Sequence, residues 1–334
     1  MNNNRMGNFL LILMLLLLPA CSSQTSDDSY DETLHLRLAM TMQPSSALSI
    51  IAMENGYFEK YGLAVTVSEY PSGKRALRDG LLTGHTDVAF SSDVPIVSAA
   101  LVGKPINVIA TTFLASDVNR VIARKDRGIR AAADLKGKRV ATQRASAVHF
   151  FLYLFLTEHG LKISDVTLSF MPAEDLPKAL GTGSIDAFSM REPYISEAAK
   201  LLGDDAIILS APGLYQQFDA VVVDSGFLQN SPKVIDRLLL SLYEAEKFAF
   251  ENPDLAINLV AGKLGTSSAA MAPLWLRHSL KLSLDQSFLL MLEDISRWML
   301  NDEASYGSIS PEYLKIIDAG PLERIDPNRI TLIR

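Results

Sequence analysis

One stretch of this chain is written twice. LLTGHTDVAFSSD, Leu81–Asp93, returns without a gap as LGTGSIDAFSMRE, Leu180–Glu192, so that Leu81, Thr83, Gly84 and Asp87 meet Leu180, Thr182, Gly183 and Asp186. Each copy reads as the last turn of a helix stopped by glycine, a link containing Asp, and a buried strand with polar residues at its far end. A chain that repeats such a corner is expected to build two similar α/β lobes facing each other. In open parallel sheets the ligand lies beyond the carboxyl ends of the strands. Ser91, Ser92 and Asp93 in one copy, and Arg191, Glu192 and Tyr194 in the other, are therefore expected to face a crevice.

The rest of the chain agrees with that architecture. Apolar runs at Leu34–Met40, Leu63–Tyr70, Asn107–Leu114, Val121–Lys125, Arg139–Gln143 and Val166–Met171 alternate with helical patterns from Ser45–Ser49, across Lys74–Leu82, after Pro95 and over Ala147–His159. Strand and helix at this spacing predict mainly parallel sheets covered on both faces. After Ser231 the pattern becomes helical. SPKVIDRLLLSLYEAEKFAFENP has a Ser cap, Pro in the first turn and a Pro stop, and further helices are expected over Asp254–Leu264 and Leu284–Leu300.

Composition narrows the function classes. With 334 residues, 48% hydrophobic and 21% charged, the chain is a globular protein able to bury a substantial core. A net charge of -7 and the absence of a basic run disfavour a general nucleic-acid binder. Phe9–Leu18 is an apolar run of signal-peptide length, and the single cysteine, Cys21, follows Leu18-Pro19-Ala20. That junction resembles the lipobox of bacterial lipoproteins, which implies a leader over 1–20, acylation of Cys21 and a polar tether over 21–33. Two or more acyl chains anchor stably where one does not.

ENGYFEKYGLAVTV at Glu54–Val67, then YPSGKRALRDGLLTGHTDVAF, then ADLKGKRVATQRASAVHFFLYLFLTEHGL and MPAEDLPKALGTGSIDAFSMREPY keep the order of blocks seen in one family. Over about Leu36–Asn252 the chain resembles the periplasmic solute-binding proteins of the nitrate, taurine-alkanesulfonate and thiamine-pyrimidine-precursor (NMT1/THI5-like) group of ABC transporters. The resemblance implies a type II periplasmic binding protein: two α/β lobes with mainly parallel sheets, joined by two crossing strands, with the ligand in the cleft. Lobe I would comprise 34–117 and 223–334, and lobe II 118–222, with crossings near Ser116–Arg120 and Asp219–Asp224.

Several residues then become candidate ligand contacts. Ser146 and Ala147 open a helix whose free N–H groups and positive end suit an anion. Relatives carry a Gly-Ser-Ser type trio there, so Ala145-Ser146-Ala147 departs mildly. Ser146 is read as a cap that can also lend its hydroxyl. Gln43 stands at the equivalent corner of the first lobe, with Ser45 or Ser46 as cap. Glu192 and Tyr194 fit the acid and aromatic of the relatives' Trp-Asp-Pro-Tyr type corner, whereas Arg191 replaces an aromatic and could hold an anion bidentately. Glu192 would read a cationic amine or ring N–H. His149 sits one turn into the second helix. Tyr215, Gln216 and Asp219 lie beside the return crossing.

The expected function is capture of a small anionic or zwitterionic solute, of sulfonate or taurine type, by hinge closure, and delivery to an inner-membrane permease. Monomer, extracytoplasmic location, membrane attachment through Cys21 and no cofactor or metal go with it. Binding of a thiamine pyrimidine precursor, a sensory module and a pyrimidine-synthase-like enzyme are the alternatives. The enzyme is disfavoured by the export signal and by the absence of HExxH, GxSxG or a phosphate-binding glycine loop. Of the five histidines, His35, His85, His149, His159 and His278, none pair at metal-ligand spacing.

Overall fold

The strand segments Val88–Ser92 and Ala187–Met190 are buried throughout and are runs of apolar and small residues, the composition that a strand covered on both faces requires. In the computed structural model, which describes residues 32–302 and 309–333, the strands assemble into two five-stranded sheets. The leader, Cys21 and the tether up to residue 31 lie outside the described residues. The first sheet takes β1 (Leu34–Thr41), β2 (Leu63–Tyr70), β3 (Val88–Ser92), β4 (Ile106–Ala115) and, much later, β10 (Gln217–Asp224). The second takes β5 (Arg120–Arg124), β6 (Arg139–Thr142), β7 (Thr167–Phe170), β8 (Ala187–Met190) and β9 (Ala206–Leu209).

The two sheets have the same plan. Their orders are β2-β1-β3-β10-β4 and β7-β6-β8-β5-β9. In each the first three strands are parallel, and the fourth, β10 or β5, runs antiparallel to both neighbours. Those two are the strands that the chain enters from the other lobe, so their reversed direction follows from the crossing. The mainly parallel two-sheet α/β architecture expected from the sequence is what the chain adopts.

The return crossing is displaced from its expected place. Asp219–Asp224 is not a connector: Asp219 pairs with Ser92 on β3 and Phe113 on β4, and Asp224 with Ile106, inside the first sheet. Seven of the eight residues of β10 are buried, and a strand of that kind needs ladder partners on both edges. The passage back to the first lobe falls on 210–216. The first passage occupies the four-residue gap between Ala115 and Arg120.

The repeated corner has a common structural purpose. Gly84 and Gly183 each take a left-handed conformation, φ 74° and 73°, after the last helical turn. Asp87 then accepts hydrogen bonds from the Arg37 main-chain N–H at 2.9 Å and from its guanidinium at 2.5 and 3.2 Å, while Arg37 also donates to the Gly84 carbonyl. Asp186 accepts the same set from Arg139, at 2.9, 2.6 and 3.1 Å, and Arg139 donates to the Gly183 carbonyl. Each corner thus ties the central strand to its parallel neighbour at the end away from the crevice.

The helical C-terminal third covers the first lobe and reaches across to the second. Helix Gln286–Asp302 brings Trp298 against His149, Phe150 and Tyr153, with ring centroids 4.9, 5.1 and 6.0 Å apart. Tyr215, in the return passage, packs edge-on to Phe150 at 5.2 Å. Leu114 of β4 exchanges main-chain hydrogen bonds with Ser279, which pins the neighbouring His278 to the edge of the first sheet.

Candidate functional site

A cleft between the lobes is walled by Gln43, Pro44 and Ser45 from the corner after β1, and by Arg191 and Glu192 from the corner after β8. Its floor comes from the first passage, Asp117 and Val118, with Phe113 of β4, Arg120 of β5 and Gln217 of β10. Leu274 and His278 close it from the C-terminal region. The carboxyl ends of β1 and β8 therefore do border a crevice, as open-sheet topology requires.

Buried polar atoms without partners mark where this cleft is chemically incomplete. Arg191 is half-buried and its Nε is one of them. Asp117 Oδ1 and His278 Nε2 are two more, on side chains only 11% and 7% exposed. They face each other at 3.5 Å as a loose imidazole–carboxylate pair. The other oxygen of Asp117 accepts from Arg277 Nη1 at 3.0 Å. The His278 ring is held edge-on to Phe113, centroids 4.9 Å apart, and burial lowers its pKa against the pull of Asp117.

The sequence-predicted residues divide sharply. Gln43, Arg191 and Glu192 line the cleft. Gln43 reaches the Pro71 carbonyl at 3.4 Å. Glu192 is spent: Oε2 accepts the Ser196 N–H at 3.0 Å at the start of the Tyr194–Leu202 helix, and Oε1 lies 3.6 Å from Arg120 Nη1. Tyr194 is half-buried at the start of that helix and packs onto the second lobe's core.

Ser91, Ser92 and Asp93 face inward instead. Ser91 donates to the Gly73 carbonyl at 3.1 Å, and Ser92 is buried without a side-chain cap bond. Asp93 is fully buried, accepting from the Tyr215 hydroxyl, the Phe218 N–H at 3.0 Å and the Val94 N–H at 2.8 Å. Burial pushes its carboxyl up to about 7, against those three donors. The expectation of three cleft-facing polar groups fails here because β3 is central and its end is roofed by the return passage. Gln216 is exposed, and Asp219 accepts from Gln217 Nε2 at 3.0 Å within β10.

The second helix start, at Ser146 and Ala147, is buried and does not line the cleft. Ser146 makes no cap bond; its hydroxyl donates backward to the Gln143 carbonyl at 2.6 Å. The turn is left-handed at Ala145, φ 46°, a conformation that glycine adopts without the Cβ clash. His149 Nδ1 accepts from the Ala145 N–H at 3.4 Å while its ring is wedged between Phe170 and Trp298. Desolvation, and then the nearby Arg144 and Lys74, lower its pKa to about 4.

Asp117, Gln217 and His278 were missed by sequence reasoning. Asp117 carried a signal, since polar residues in a short passage between lobes have no core to enter. His278 carried none: its place in the cleft depends on pairing with β4 far away in sequence.

Residues 43–256 match the family described as NMT1/THI5 like. A putative aliphatic sulfonates-binding protein of Escherichia coli K12 is 24% identical over 80% of this chain and 82% of its own. One of Bacillus subtilis 168 is 26% identical over 76% of each. The alkanesulfonate-binding protein SsuA from Xanthomonas axonopodis pv. citri, solved with MOPS, superposes with a TM-score of 0.73 at 19% identity, covering 86% of this chain and 99% of that one. That last likeness is one of fold.

Proposed function

This chain belongs to the NMT1/THI5-like family, and we propose that it is the substrate-binding protein of an ABC importer, held outside the cytoplasmic membrane by acyl chains on Cys21. In this reading it captures a small anionic or zwitterionic solute of sulfonate type between its lobes and hands it to a membrane permease, without chemistry of its own. The observation that carries the reading is Arg191. Its Nε is a buried donor with no hydrogen-bond partner, on a side chain that lines a cleft walled by both lobes, and an anion supplies what it lacks.

Closure then follows from differential affinity. A solute touching Arg191 on one lobe and Gln43 on the other gains both sets of contacts only when the lobes meet, so it raises the closed population by that difference. The names of the similar Escherichia coli and Bacillus subtilis proteins support the sulfonate class, and Leu18-Pro19-Ala20-Cys21 supports the anchor.

The test is a thermal-shift screen of the full chain in detergent against ethanesulfonate, taurine, nitrate and an aminopyrimidine. A ligand at a hundred times its dissociation constant stabilises by about 2.7 kcal/mol. A rise with either sulfonate is expected; a rise with nitrate or the aminopyrimidine alone overturns the sulfonate assignment.

A further inference from the structure

Both passages attach at one side of each sheet, and one polar contact joins the lobes away from that side. In the first lobe they connect to β4 and β10, and in the second to β5 and β9. Lys74 follows β2, three strands from β10, and Arg144 follows β6, two strands from β5. Across the crevice the Lys74 ammonium donates to the Arg144 carbonyl. We propose that Lys74 is a latch between the lobes, which holds the closed form together from outside the binding cleft and slows escape of the captured solute. The latch presupposes the reading of the chain as a protein that closes on its solute. Its role is one of positioning, since Lys74 does not line the cleft.

Each end of the latch is fixed within its own lobe. Lys74 lies in the short helix Gly73–Arg75, where Ser72 Oγ accepts the Arg75 N–H at 3.3 Å and Ser91 Oγ donates to the Gly73 carbonyl at 3.1 Å. That helix is pressed so closely on β3 that a Cβ at Gly73 would stand 3.1 Å from Ser91 Cα. In the second lobe three successive carbonyls of the corner after β6 accept hydrogen bonds. Thr142 accepts from the Met171 N–H at 3.2 Å and Gln143 from Ser146 Oγ at 2.6 Å, both within the lobe, whereas Arg144 accepts from Lys74 of the other lobe. The Arg144 guanidinium lies over the Phe170 ring, 4.1 Å from its centroid. Two further facts put Lys74 at this corner. It shares the wall of a hollow with Ala145, and after desolvation it is the charges of Arg144 and Lys74 that lower the His149 pKa.

Leverage follows from the strand order. The first-lobe ends of the passages are held by Asp117 on Arg277 and by Tyr215 and Phe218 on Asp93, so opening turns the second lobe about the residues between. Neighbouring strands are about 4.8 Å apart, which sets the latch roughly 10–14 Å from β5 and β10. Gln43 and Arg191 follow β1 and β8, each one strand nearer the passages. A contact further out along both sheets than the cleft parts early as the lobes separate. Both of its groups then meet water, so the bond is a modest restraint that sets a rate without blocking release.

Spin labels at Glu69→Cys near the end of β2 and Glu174→Cys beyond β7, both exposed positions, report the interlobe distance in the full chain in detergent, with Cys21 carrying its lipid. Without added solute, Lys74→Met is expected to shift the distances measured by double electron–electron resonance to longer values. Lys74→Arg, which keeps a donor, should stay with the unaltered chain. Stopped-flow fluorescence with ethanesulfonate should show dissociation about three- to tenfold faster from Lys74→Met, the scale of one hydrogen bond. Unchanged distances in Lys74→Met overturn the latch even where dissociation is faster, because Lys74 then acts on the solute and not on the other lobe. An equal shift in Lys74→Arg overturns it as well, since the donor is then not what holds the lobes. If ethanesulfonate does not bind, the sulfonate reading fails while the distances still decide the latch.

Discussion

Arg139 closes on Asp186 with its main-chain N–H and two guanidinium nitrogens, at 2.9, 3.1 and 2.6 Å, and Arg37 closes on Asp87 in the same way in the other lobe. The guanidinium hydrogen bonds hold the Asp186 carboxyl below its ordinary pKa, with desolvation opposing them. Each Asp also returns its own N–H to the arginine carbonyl, at 2.8 and 2.9 Å. The repeated motif is therefore a strand clasp, placed at the amino end of the central strand and remote from the cleft.

Removing the clasp should cost stability and spare binding. Asp186→Ala leaves the Arg139 N–H without its acceptor, an expected loss of about 1–3 kcal/mol in urea denaturation. Affinity for whichever sulfonate the unaltered protein binds should stay within twofold. A tenfold loss of affinity at unchanged stability would place Asp186 in the site instead.

Neighbouring residues of the second-lobe corner should separate in a binding assay. Arg191→Ala removes the guanidinium whose Nε lacks a partner and is expected to weaken sulfonate binding at least tenfold, about 1.4 kcal/mol. Glu192→Ala removes a side chain 42% exposed and occupied by Ser196 and Arg120, and should change affinity less than threefold. Calorimetry on the two variants checks both; a larger effect from Glu192 would reverse the assignment.

Two buried groups give stability an unusual pH profile. The Asp93 carboxyl is raised from 3.8 to about 7, so the folded state holds more protons, and its contribution is present below pH 3.8 and lost as pH rises through 7. The His149 imidazole is lowered from 6.5 to about 4, so its contribution is present above pH 6.5 and lost as pH falls through 4. Between pH 4 and 6.5 the two slopes, each at most about 1.4 kcal/mol per pH unit, oppose each other. The expected outcome is that His149→Leu makes stability fall with rising pH in that window, and Asp93→Asn makes it rise, measured as urea midpoints. Parallel profiles in both variants would show that these groups do not titrate as their burial implies.

The sequence determined the local elements and their pairing into two like lobes, because strand and helix periodicity, glycine stops and Asp-containing corners act over a few residues. It also carried Arg191 and Gln43, which stand at the ends of elements whose edges can be read. It did not determine which polar residues at those ends are free. Asp93 and Ser91 lie at the same kind of corner as Arg191, yet Tyr215, Phe218 and Gly73 consume them. Ser146 and His149 open a helix as expected, yet Trp298, brought from the C-terminal helix, seals that corner. Gln217 and His278 enter the cleft only because β10 and the segment after Trp275 return to β4 from distant parts of the chain. Hydrogen-bond capacity is settled by whatever arrives from elsewhere in the fold, so periodicity could place the crevice while only tertiary packing decided which of its atoms remain unsatisfied.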